Sequence, residues 1–456
     1  MKTFKNRKKE LQALSKVVKS NKFEFSIVYG RRRVGKTALH LEAISGSTFI
    51  YFMARKSNNV KKFKEQCIRK FPETKMISED FESLFQFLKD RVDCIIIDEF
   101  PNLLEENQNF LNIFQVIVDS IIADSSLSLF ILGSSISVMK SKIMSNSSPL
   151  FGRKTFSFKL QPLDFYQLLH FFPDSSLNEI IEIFGMTGGI PYYINRIDIP
   201  FWDWLDQELE FPVFIRDEGT FIVRYEFISS GRYFSILEAI AFGNCHVNEI
   251  SQYTNIKATS LSQYLKNLEL VEFIVREIPV TEKPGSKRGI YVLKDNFLKF
   301  WFRFIYPNME SLDQGILSVE ELKSQYSHYM GSIFVKVVKQ FLIEYREHFS
   351  LNKFTKIGRW WWRDNEIDLI AYHPLKKKAT LVECKWSEGV DARQIVSHLI
   401  KKEKYIRYKG QNQDKEHDIM IFAKSFSKKV SSFGEYTVIC VDLPEMEKII
   451  RINKEL

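Results

Sequence analysis

The feature that most constrains this chain is an eight-residue loop, Gly30-Arg31-Arg32-Arg33-Val34-Gly35-Lys36-Thr37, which fits the phosphate-binding pattern G-x-x-x-x-G-K-[ST] at every fixed position. The residues before it, Phe23 to Tyr29, predict a strand, and those after it, Thr37 to Ala43, predict the start of a helix. A loop in this position aims backbone N–H groups and the positive end of the helix dipole at one point. The sequence therefore predicts a nucleotide triphosphate site, with Lys36 on the β and γ phosphates and Thr37 on Mg²⁺.

A strand that ends in two acids is the second informative feature. Cys94 to Ile97 are apolar, and Asp98 and Glu99 follow directly. Such a run is typical of a buried parallel strand, at whose carboxyl end ligands of open α/β sheets collect. We predict that Asp98 holds the water shell of Mg²⁺ and that Glu99 orients and deprotonates the attacking water. A strand ending in a solvated acidic turn is the alternative.

Two later strands supply further candidates. The strand predicted over Leu127 to Leu132 is followed closely by Ser134 and Ser135, and either hydroxyl is a candidate to contact the γ phosphate or the water. Ordinary turn residues are the alternative. Arg153 precedes a strand predicted over Thr155 to Leu160, and an arginine there can stabilise the transition state in its own site or in a neighbour's. A surface charge is the alternative for Arg153, and a homo-oligomer stays open.

Composition narrows the class of protein. A chain of 456 residues predicts about three domains. The net charge of +9 favours an anionic partner, of which nucleic acid is the commonest. The five cysteines form no C-x-x-C pair, so we expect neither a disulfide framework nor a zinc site, and a reducing cytoplasm fits. The chain has no apolar leader and no run of eighteen apolar residues, so no membrane partner is predicted.

The middle of the chain has the pattern of a winged helix. Three helices and two strands are predicted, over Phe234–Phe242, Val247–Tyr253, Thr259–Leu268, Val271–Val275 and Ile290–Leu293. The third helix carries the polar residues Thr259, Ser262, Gln263 and Lys266, and the turn between the strands carries Lys283, Lys287 and Arg288. Duplex DNA is the predicted ligand. A rigid spacer or a protein contact is the alternative.

The C-terminal part has paired strands with acids on them. One strand is predicted over Arg359–Ala371 and its partner over Ala379–Trp386, across the turn at Pro374 to Lys378. Because side chains alternate along a strand, Glu366 and Asp368 share a face, as do Glu383 and Lys385. Pairing of the strands can bring two or three carboxylates and an ammonium together, which suits Mg²⁺ or Mn²⁺. Cross-strand ion pairs are the alternative.

The N-terminal motifs together resemble the archaeal-type ATPase family, a branch of the AAA+-related signal-transduction (STAND) NTPases. The resemblance covers about the first 200 residues and rests on the opening F-x-x-R-x-x-E-L, the phosphate loop, IIIDEF, LGSS, PLFGR and Gly188-Gly189-Ile190-Pro191-Tyr192-Tyr193. It implies a five-stranded parallel sheet followed by a helical lid, and ATP as the nucleotide. It also implies that Arg7 lies near the nucleotide and that Gly189 and Pro191 lie near the adenine.

The C-terminal strands resemble the PD-(D/E)xK nuclease core. Asp368 corresponds to the lone acid, and Glu383-Cys384-Lys385 corresponds to E-x-K. The resemblance implies that Asp368 and Glu383 are metal ligands and that Asp368, Glu383 and Lys385 are catalytic. Archaeal-type ATPases frequently carry such a domain at this end. Active nucleases often place an acid on the preceding helix, where this chain has Val335.

The sequence therefore predicts an α/β protein in four parts. These are a P-loop NTPase parallel sheet at 1–165, a helical lid at 166–205, a winged helix at 206–305 and an α/β PD-(D/E)xK nuclease-like domain at 306–456. We predict an ATPase that uses ATP and Mg²⁺, with DNA binding and Mg²⁺-dependent DNA cleavage as its output. The alternatives are a nucleotide-gated regulator or scaffold with an inactive nuclease-like domain, and a protein-remodelling ATPase.

Overall fold

The chain divides into two compact units. The structure is a computed structural model that describes residues 4–227, 229–349, 354–408 and 415–454. The N-terminal unit comprises the residues up to Pro162 together with Ile190–Asn195, and the C-terminal unit comprises Leu163–Gly189 and the residues from Arg196 onward. The short segment Ile190–Asn195 therefore belongs to the N-terminal unit, although the chain on both sides of it belongs to the other unit.

The first 200 residues alternate strands with helices, as the apolar runs predict. The strands are β1 Glu24–Tyr29, β2 Phe49–Met53, β3 Cys94–Asp98, β4 Ser128–Gly133 and β5 Phe156–Lys159. The helices are α1 Lys8–Val18, α2 Lys36–Ala43, α3 Asn59–Lys70, α4 Phe81–Leu88, α5 Pro101–Glu106, α6 Phe110–Val116, α7 Ile136–Val138, α8 Leu177–Thr187 and α9 Pro191–Ile194.

The N-terminal unit is built on a parallel sheet with the strand order β2-β3-β4-β1-β5. Strand β1 lies between β4 and β5, so that Ile27 pairs with Ile131 on one side and with Ser157 on the other. The predicted five-stranded parallel sheet is thereby confirmed. Because all five strands run the same way, the loops after β1, β3 and β4 emerge at one edge of the sheet.

Phenylalanine rings fill much of the space beside this sheet. The Phe63 ring lies 5.2 Å from the Phe52 ring and 5.5 Å from the Phe85 ring, measured between centroids. The Phe114 ring lies 4.9 Å from the Phe100 ring. Edge-to-face and stacked contacts at these distances stabilise a core beyond the burial of apolar area alone. The aromatic content of the sequence therefore serves packing in this unit.

The remainder of the chain is helical first and then sheet-forming. Its helices are α10 Phe201–Glu210, α11 Val213–Glu226, α12 Gly231–Ala241, α13 Val247–Thr254, α14 Ala258–Leu270, α15 Asn296–Phe300, α16 Met309–Asp313, α17 Val319–Glu344, α18 Ala392–Glu403 and α19 Leu443–Lys454. Its strands are β6 Ile274–Glu277, β7 Ile290–Leu293, β8 Lys356–Trp362, β9 Asn365–Tyr372, β10 Lys378–Lys385, β11 Val390–Asp391, β12 Glu416–Ala423, β13 Phe426–Lys428, β14 Ser432–Phe433 and β15 Tyr436–Asp442. Across the described ranges, every helix is too short or too polar to cross a membrane.

Helix α8 shares a core with α15 and α17 in the C-terminal unit. The Asn296 amide donates to the carbonyl of Phe184 at 3.0 Å, and the Tyr329 hydroxyl donates to that of Gly185 at 2.7 Å. The region predicted as a lid is thus joined to later helices by hydrogen bonds that are buried. The division of the chain into four parts stays a prediction.

The middle of the chain has the element order that the sequence predicts. Helices α12, α13 and α14 are followed by the antiparallel hairpin of β6 and β7. Strand β6 begins at Ile274 rather than at Val271, because Glu272 has a left-handed backbone with φ of 63°. A residue in that conformation cannot continue a strand.

A mixed sheet of six strands, in the order β14-β15-β12-β10-β9-β8, forms the end of the chain. Strand β9 is antiparallel to both β8 and β10, whereas β12 runs parallel to β10. The prediction of one strand over Arg359–Ala371 is wrong, because β8 turns back into β9 at Arg363 and Asp364. Arg363 adopts a left-handed φ of 50°, and Trp362 pairs with Asn365 across the turn. The turn contains Asp364 and is followed by Asn365, which are turn-forming residue types, so the sequence carried a signal that the prediction of one continuous strand passed over.

Gly189 lies where the structure has no room for a side chain, so we expect its substitution to destabilise the fold. It has φ of +78°, and a Cβ there would lie 1.9 Å from the carbonyl oxygen of Leu163. We expect Gly189→Ala to lower the free energy of unfolding by roughly 3 kcal/mol or more, as measured by urea denaturation. Gly315→Ala is the matched control, since Gly315 has φ of +68° with no atom within 4 Å of the added carbon. It should cost about 1 kcal/mol, the strain of the backbone alone. Equal losses would contradict the close contact as the cause.

Candidate functional site

The phosphate loop connects β1 to α2 with its lysine folded inward. Helix α2 begins at Lys36, and Gly35 before it has a left-handed φ of 94°. The Lys36 ammonium is buried and donates to the carbonyls of Gly30 at 3.0 Å and Arg31 at 3.2 Å. A Cβ on Gly30 would lie 2.5 Å from the carbonyl oxygen of Leu160, so this position also requires glycine. The loop is thus curled around its own lysine, next to the N-terminus of α2.

The Asp98 carboxylate lies at the centre of a hydrogen-bond network at the end of β3. The Thr37 hydroxyl donates to its Oδ2 at 2.5 Å, and the Tyr51 hydroxyl donates to the same oxygen at 3.0 Å. The N–H of Glu99 donates to Oδ1 at 2.8 Å. Burial, and then the Asp98 charge, raise the pKa of Tyr51, so its hydroxyl stays a donor. The structure therefore brings together Thr37 and Asp98, the two residues predicted to bind Mg²⁺ beside the nucleotide.

Glu99 and Ser134 face each other across neighbouring strand ends. The Ser134 hydroxyl lies 2.8 Å and 2.6 Å from the two carboxylate oxygens of Glu99. Glu99 adopts a left-handed φ of 51°, and Ser134 is buried. Ser135 instead has its hydroxyl 3.1 Å from that of Ser137. Of the two serines between which the sequence left the choice open, Ser134 is the one that contacts Glu99.

Arg7 and Pro191 both lie against the phosphate loop. The Arg7 side chain is buried, and its Nη2 donates to the carbonyl of Val34 at 3.3 Å. Its Nη1 donates to Glu10 at 3.2 Å. A Cβ on Gly35 would lie 3.8 Å from Cγ of Pro191, which is ordinary contact distance. Arg7 and Pro191, both distant from the loop in sequence, thus lie beside it, and their positions near the nucleotide and the adenine stay predictions.

The arginines of the loop contact a pair of tyrosines that sequence reasoning left without a role. The Arg31 Nη2 lies 3.4 Å from the Tyr193 hydroxyl, and the Arg33 guanidinium lies 4.1 Å from the centre of the Tyr192 ring. Arg32 is half-buried in the same loop. Both tyrosines come directly after Pro191 in the sequence, and this adjacency could have identified them as candidate site residues. The sequence gave no such indication for Tyr51, because a tyrosine within a strand is expected to pack in the core.

Arg153 is committed to an acidic partner on the surface of the N-terminal unit. Its Nε and Nη2 donate to the two carboxylate oxygens of Asp119 at 2.6 Å and 2.7 Å, and its Nη1 donates to the carbonyl of Pro149 at 2.7 Å. This bidentate pairing raises the pKa of Arg153 and lowers the pKa of Asp119. Among the described residues, none of its hydrogen-bond partners belongs to the phosphate loop or to the end of β3.

Asp368, Glu383 and Lys385 form a second cluster, in the C-terminal unit. The N–H of Cys384 donates to Oδ2 of Asp368 at 2.8 Å, and the Lys385 ammonium donates to Oε1 of Glu383 at 2.8 Å. The other Glu383 oxygen, Oε2, is buried without a hydrogen-bond partner. The three residues of the predicted nuclease motif are thus adjacent, with one carboxylate oxygen left unsatisfied.

The electrostatics of this cluster are set by burial and by the proximity of its two acids. Burial, followed by repulsion from Glu383, raises the pKa of Asp368 to about 6. Burial opposes the charge on Lys385, but the two carboxylates outweigh it and raise the pKa of that ammonium. Lys385 therefore stays protonated, while Asp368 holds its proton at mildly acidic pH.

Glu366 does not join the cluster. Its carboxylate accepts from Arg359 at 2.5 Å, and Arg359 also donates to Glu277 at 3.2 Å. Two carboxylates rather than three therefore meet at Lys385. Within the described ranges, no group of three or more His, Cys, Asp or Glu side chains is arranged to hold a metal ion.

Two candidate DNA-binding surfaces, helix α14 and the wing between β6 and β7, differ in how many of their polar side chains are exposed. Side chains on one face of α14 are exposed: Thr259, Ser262, Gln263 and Lys266. In the predicted wing, Lys283 and Lys287 are exposed, but Arg288 stacks 3.7 Å above the Trp362 ring and pairs with Glu282 at 2.7 Å. The wing thus packs on the β8–β9 hairpin through one of its three cations.

A run of basic residues begins in the last turn of α18 and continues in the sequence beyond it: Lys401, Lys402, Lys404, Arg407 and Lys409. Two of its described members donate to backbone carbonyls. Lys402 donates to the carbonyl of Glu366 at 2.7 Å, and Arg407 donates to that of Lys404 at 2.8 Å. Lys401 lies at the end of α18 and is exposed. Lys409, which the sequence places in the same basic run, lies outside the described residues.

Comparison with known proteins places both ends of the chain in families. Residues 4–197 match a family described as an ATPase domain found predominantly in Archaea. Residues 301–396 match a family of archaeal and bacterial proteins of unknown function. The protein MJECL04 of Methanocaldococcus jannaschii is 47% identical over 407 residues, which covers 88% of this chain and 92% of the relative.

Two solved structures are similar at low identity. The Walker-type ATPase paby2304 of Pyrococcus abyssi is 22% identical with a TM-score of 0.49, covering 66% of this chain and 96% of that one. The ORC2 protein of Aeropyrum pernix, solved as ADPNP–ADP complexes, is 14% identical with a TM-score of 0.43, covering 69% of this chain and 95% of that one.

Because the pKa of Asp368 is raised, we expect its ionisation to destabilise the folded chain as the pH rises. Because its folded-state pKa of about 6 exceeds the unfolded value, the stability that its proton contributes is complete below about pH 4 and is lost as pH rises through about 6. We expect Asp368→Asn to raise the free energy of unfolding by roughly 2 kcal/mol more at about pH 7.5 than at about pH 4.5. Urea denaturation in EDTA measures this difference. Asp364→Asn, in the exposed turn of the same hairpin, should show no such dependence on pH, and a flat profile for both variants would contradict the assignment.

Proposed function

Because this chain belongs to the archaeal ATPase family, we propose that it uses ATP binding and hydrolysis to control a DNA-binding and DNA-cleaving C-terminal unit. The ATPase activity follows from the family. The proposal for the output rests on one observation above all, the proximity of Asp368 to the Glu383–Lys385 pair. A cytoplasmic location is part of the proposal.

The phosphate loop would hold the triphosphate with groups that are already in position. The Lys36 ammonium, now bonded to loop carbonyls, would turn to the β and γ phosphates. Backbone N–H groups at the start of α2 add the favourable end of the helix dipole. Arg7, which donates to the carbonyl of Val34, and Pro191, which lies close to Gly35, would line the nucleotide.

The oxygens of Thr37 and Asp98 fit a magnesium ion. They are hard ligands in contact with each other, and a hydroxyl hydrogen bond of 2.5 Å between them is one that a cation would replace. When bound, Mg²⁺ supplies charge neutralisation for the phosphates. Tyr51 and the N–H of Glu99 would keep the Asp98 carboxylate oriented.

Glu99 would orient and deprotonate the water that attacks the γ phosphate. The Ser134 hydroxyl donates to the Glu99 carboxylate and would thereby hold it in position for that step. Arg153 would act as an arginine finger only after leaving Asp119, and action on a neighbouring subunit would require a homo-oligomer. ATP binding would then alter the arrangement of the two units and so gate the output.

The output cluster is suited to phosphodiester hydrolysis. Asp368 and Glu383 are adjacent oxygen donors, and the unsatisfied Glu383 oxygen fits a divalent cation. Bound Mg²⁺ would supply Lewis-acid activation of the phosphate. The Lys385 ammonium would orient a water or stabilise charge on the phosphate, and the exposed face of α14 would bind duplex DNA as a winged helix does.

A nucleotide-gated regulator with an inactive nuclease-like domain is the second candidate. Two observations favour it. Glu366 is bound by Arg359 rather than joined to the cluster, and the helix before the sheet has Val335 where active nucleases often have an acid. One metal held by two carboxylates is then the most that the described residues support. A protein-remodelling ATPase is the third candidate, and DNA affinity that falls steeply with salt would exclude it.

Substitutions in the ATP site should separate binding from hydrolysis. We expect Lys36→Ala to abolish both ATP binding and turnover, because the phosphates lose their only loop ammonium. Glu99→Gln should lower the turnover rate by about a hundredfold or more with ATP still bound, since only activation of the water is removed. Phosphate release and equilibrium binding of a fluorescent ATP analogue measure the two quantities.

The control for Glu99 is an exposed acid on α5, the helix that follows β3 in the chain. Glu105→Gln changes a side chain outside the hydrogen-bond network of Asp98, Glu99 and Ser134, and should retain turnover within a few-fold. Loss of ATP binding in Glu99→Gln would reassign Glu99 to a structural role.

The proposed nuclease is tested with supercoiled and linear DNA in Mg²⁺ or Mn²⁺, with and without ATP. We expect cleavage by the intact chain and a loss of at least about a hundredfold in Asp368→Ala and in Lys385→Ala. Asp364→Ala is the control, because Asp364 is exposed in the same hairpin. DNA that is bound but never cut would favour the nucleotide-gated regulator instead.

A further inference from the structure

Three cationic side chains from three elements converge in the C-terminal unit. Lys299 belongs to α15, Lys336 to α17 and Arg359 to β8. The Lys299 ammonium donates to the Ser332 hydroxyl at 2.5 Å, and Ser332 lies one helical turn before Lys336 on α17. Residues four apart on a helix share a face, so Lys299 and Lys336 approach the same surface.

Lys299 has an unusual environment for a lysine. Within the described part of the chain, no carboxylate lies within ion-pair distance of its ammonium. It is half-buried, with the Tyr329 ring 5.7 Å away. Burial, followed by repulsion from Lys336 and Arg359, lowers the pKa of Lys299 to about 8. Its charge is therefore disfavoured by its surroundings, as expected for a cation whose partner is a ligand.

The other groups of this cluster are held in place. Lys336 donates to the Asn296 amide oxygen at 2.8 Å and to the carbonyl of Lys294 at 3.3 Å. Arg359 is fixed by Glu277 and Glu366 on two sides. Lysine side chains that are already ordered lose little conformational entropy when they bind. The arrangement is thus ready to receive an anion with several oxygens.

We propose that Lys299, Ser332 and Lys336 form a binding subsite for a phosphate group. Phosphate oxygens accept hydrogen bonds, and the two ammonium groups are donors of the right kind. The Ser332 hydroxyl donates to the carbonyl of Tyr329 at 3.1 Å and would turn from that carbonyl to add a third donor. A backbone phosphate of DNA and a free phosphate share this chemistry. Binding of a DNA phosphate at this subsite rests on the proposed function, because it requires the chain to bind DNA. Binding of a free phosphate does not depend on that proposal. No cleavage activity is needed for it.

The experiment is competitive labelling of the full-length chain with an amine-reactive reagent at about pH 8, read by mass spectrometry of the Lys299 peptide. Phosphate is compared with chloride at equal ionic strength. A bound phosphate that raises the pKa by about one unit would lower the labelling rate of Lys299 about fivefold, because the free amine becomes scarce. Lys323, which is exposed on α17, is the internal control and should react equally in both salts.

Variants and a second probe make the outcome specific. Lys336→Gln should remove most of the protection of Lys299 by phosphate, and Lys36→Ala should leave that protection unchanged, which excludes an effect of phosphate bound at the nucleotide loop. Equal labelling of Lys299 in phosphate and chloride would overturn the proposal. A duplex oligonucleotide is then used in place of phosphate. Protection by phosphate but not by duplex would uphold the subsite for a small phosphate and count against DNA on this surface.

Discussion

The N-terminal unit depends on one buried carboxylate. Asp98 is 3% exposed, and a charge so far from water is tolerated only when hydrogen bonds replace its hydration. Its partners are the Thr37 hydroxyl at the start of α2, the Tyr51 hydroxyl in β2 and the N–H of Glu99. Satisfying this group draws the phosphate loop, a neighbouring strand and the end of β3 together, and it orients Glu99 toward the end of β4.

Two buried acids of the C-terminal unit lie next to each other and are less well compensated by hydrogen bonds than Asp98 is. Asp368 and Glu383 lie beside each other, and their repulsion is only partly offset by Lys385, so the pKa of Asp368 rises and one Glu383 oxygen has no partner. A carboxylate pair in this condition gains from a cation, whereas Asp98 has hydrogen-bond partners on both of its oxygens before any cation binds. The hairpin of β6 and β7 packs on the same sheet through Arg288, which couples the middle helices to the strands that carry the cluster.

Much of the fold could be predicted from local patterns. Apolar runs predicted the parallel strands. The polar residues at the ends of β1 and β3 predicted a candidate nucleotide site, because parallel strands bring their following loops to one edge of the sheet. The hairpin at Arg363 was missed although Asp364 and Asn365 are turn-forming residue types, because the strand pattern was followed straight through them. Tyr51, Tyr192 and Tyr193 were missed as site residues because their contacts join segments far apart in sequence.

The sequence by itself determined the phosphate-loop pattern, the two acids at the end of β3 and the E-x-K strand, because each is a short pattern that depends on spacing alone. Tertiary structure decided which of the candidate groups meet. It placed Ser134 rather than Ser135 against Glu99, turned Arg153 to Asp119 and Glu366 to Arg359, and set Lys299 beside two other cations. These outcomes depend on through-space electrostatics and burial, which a linear sequence does not specify.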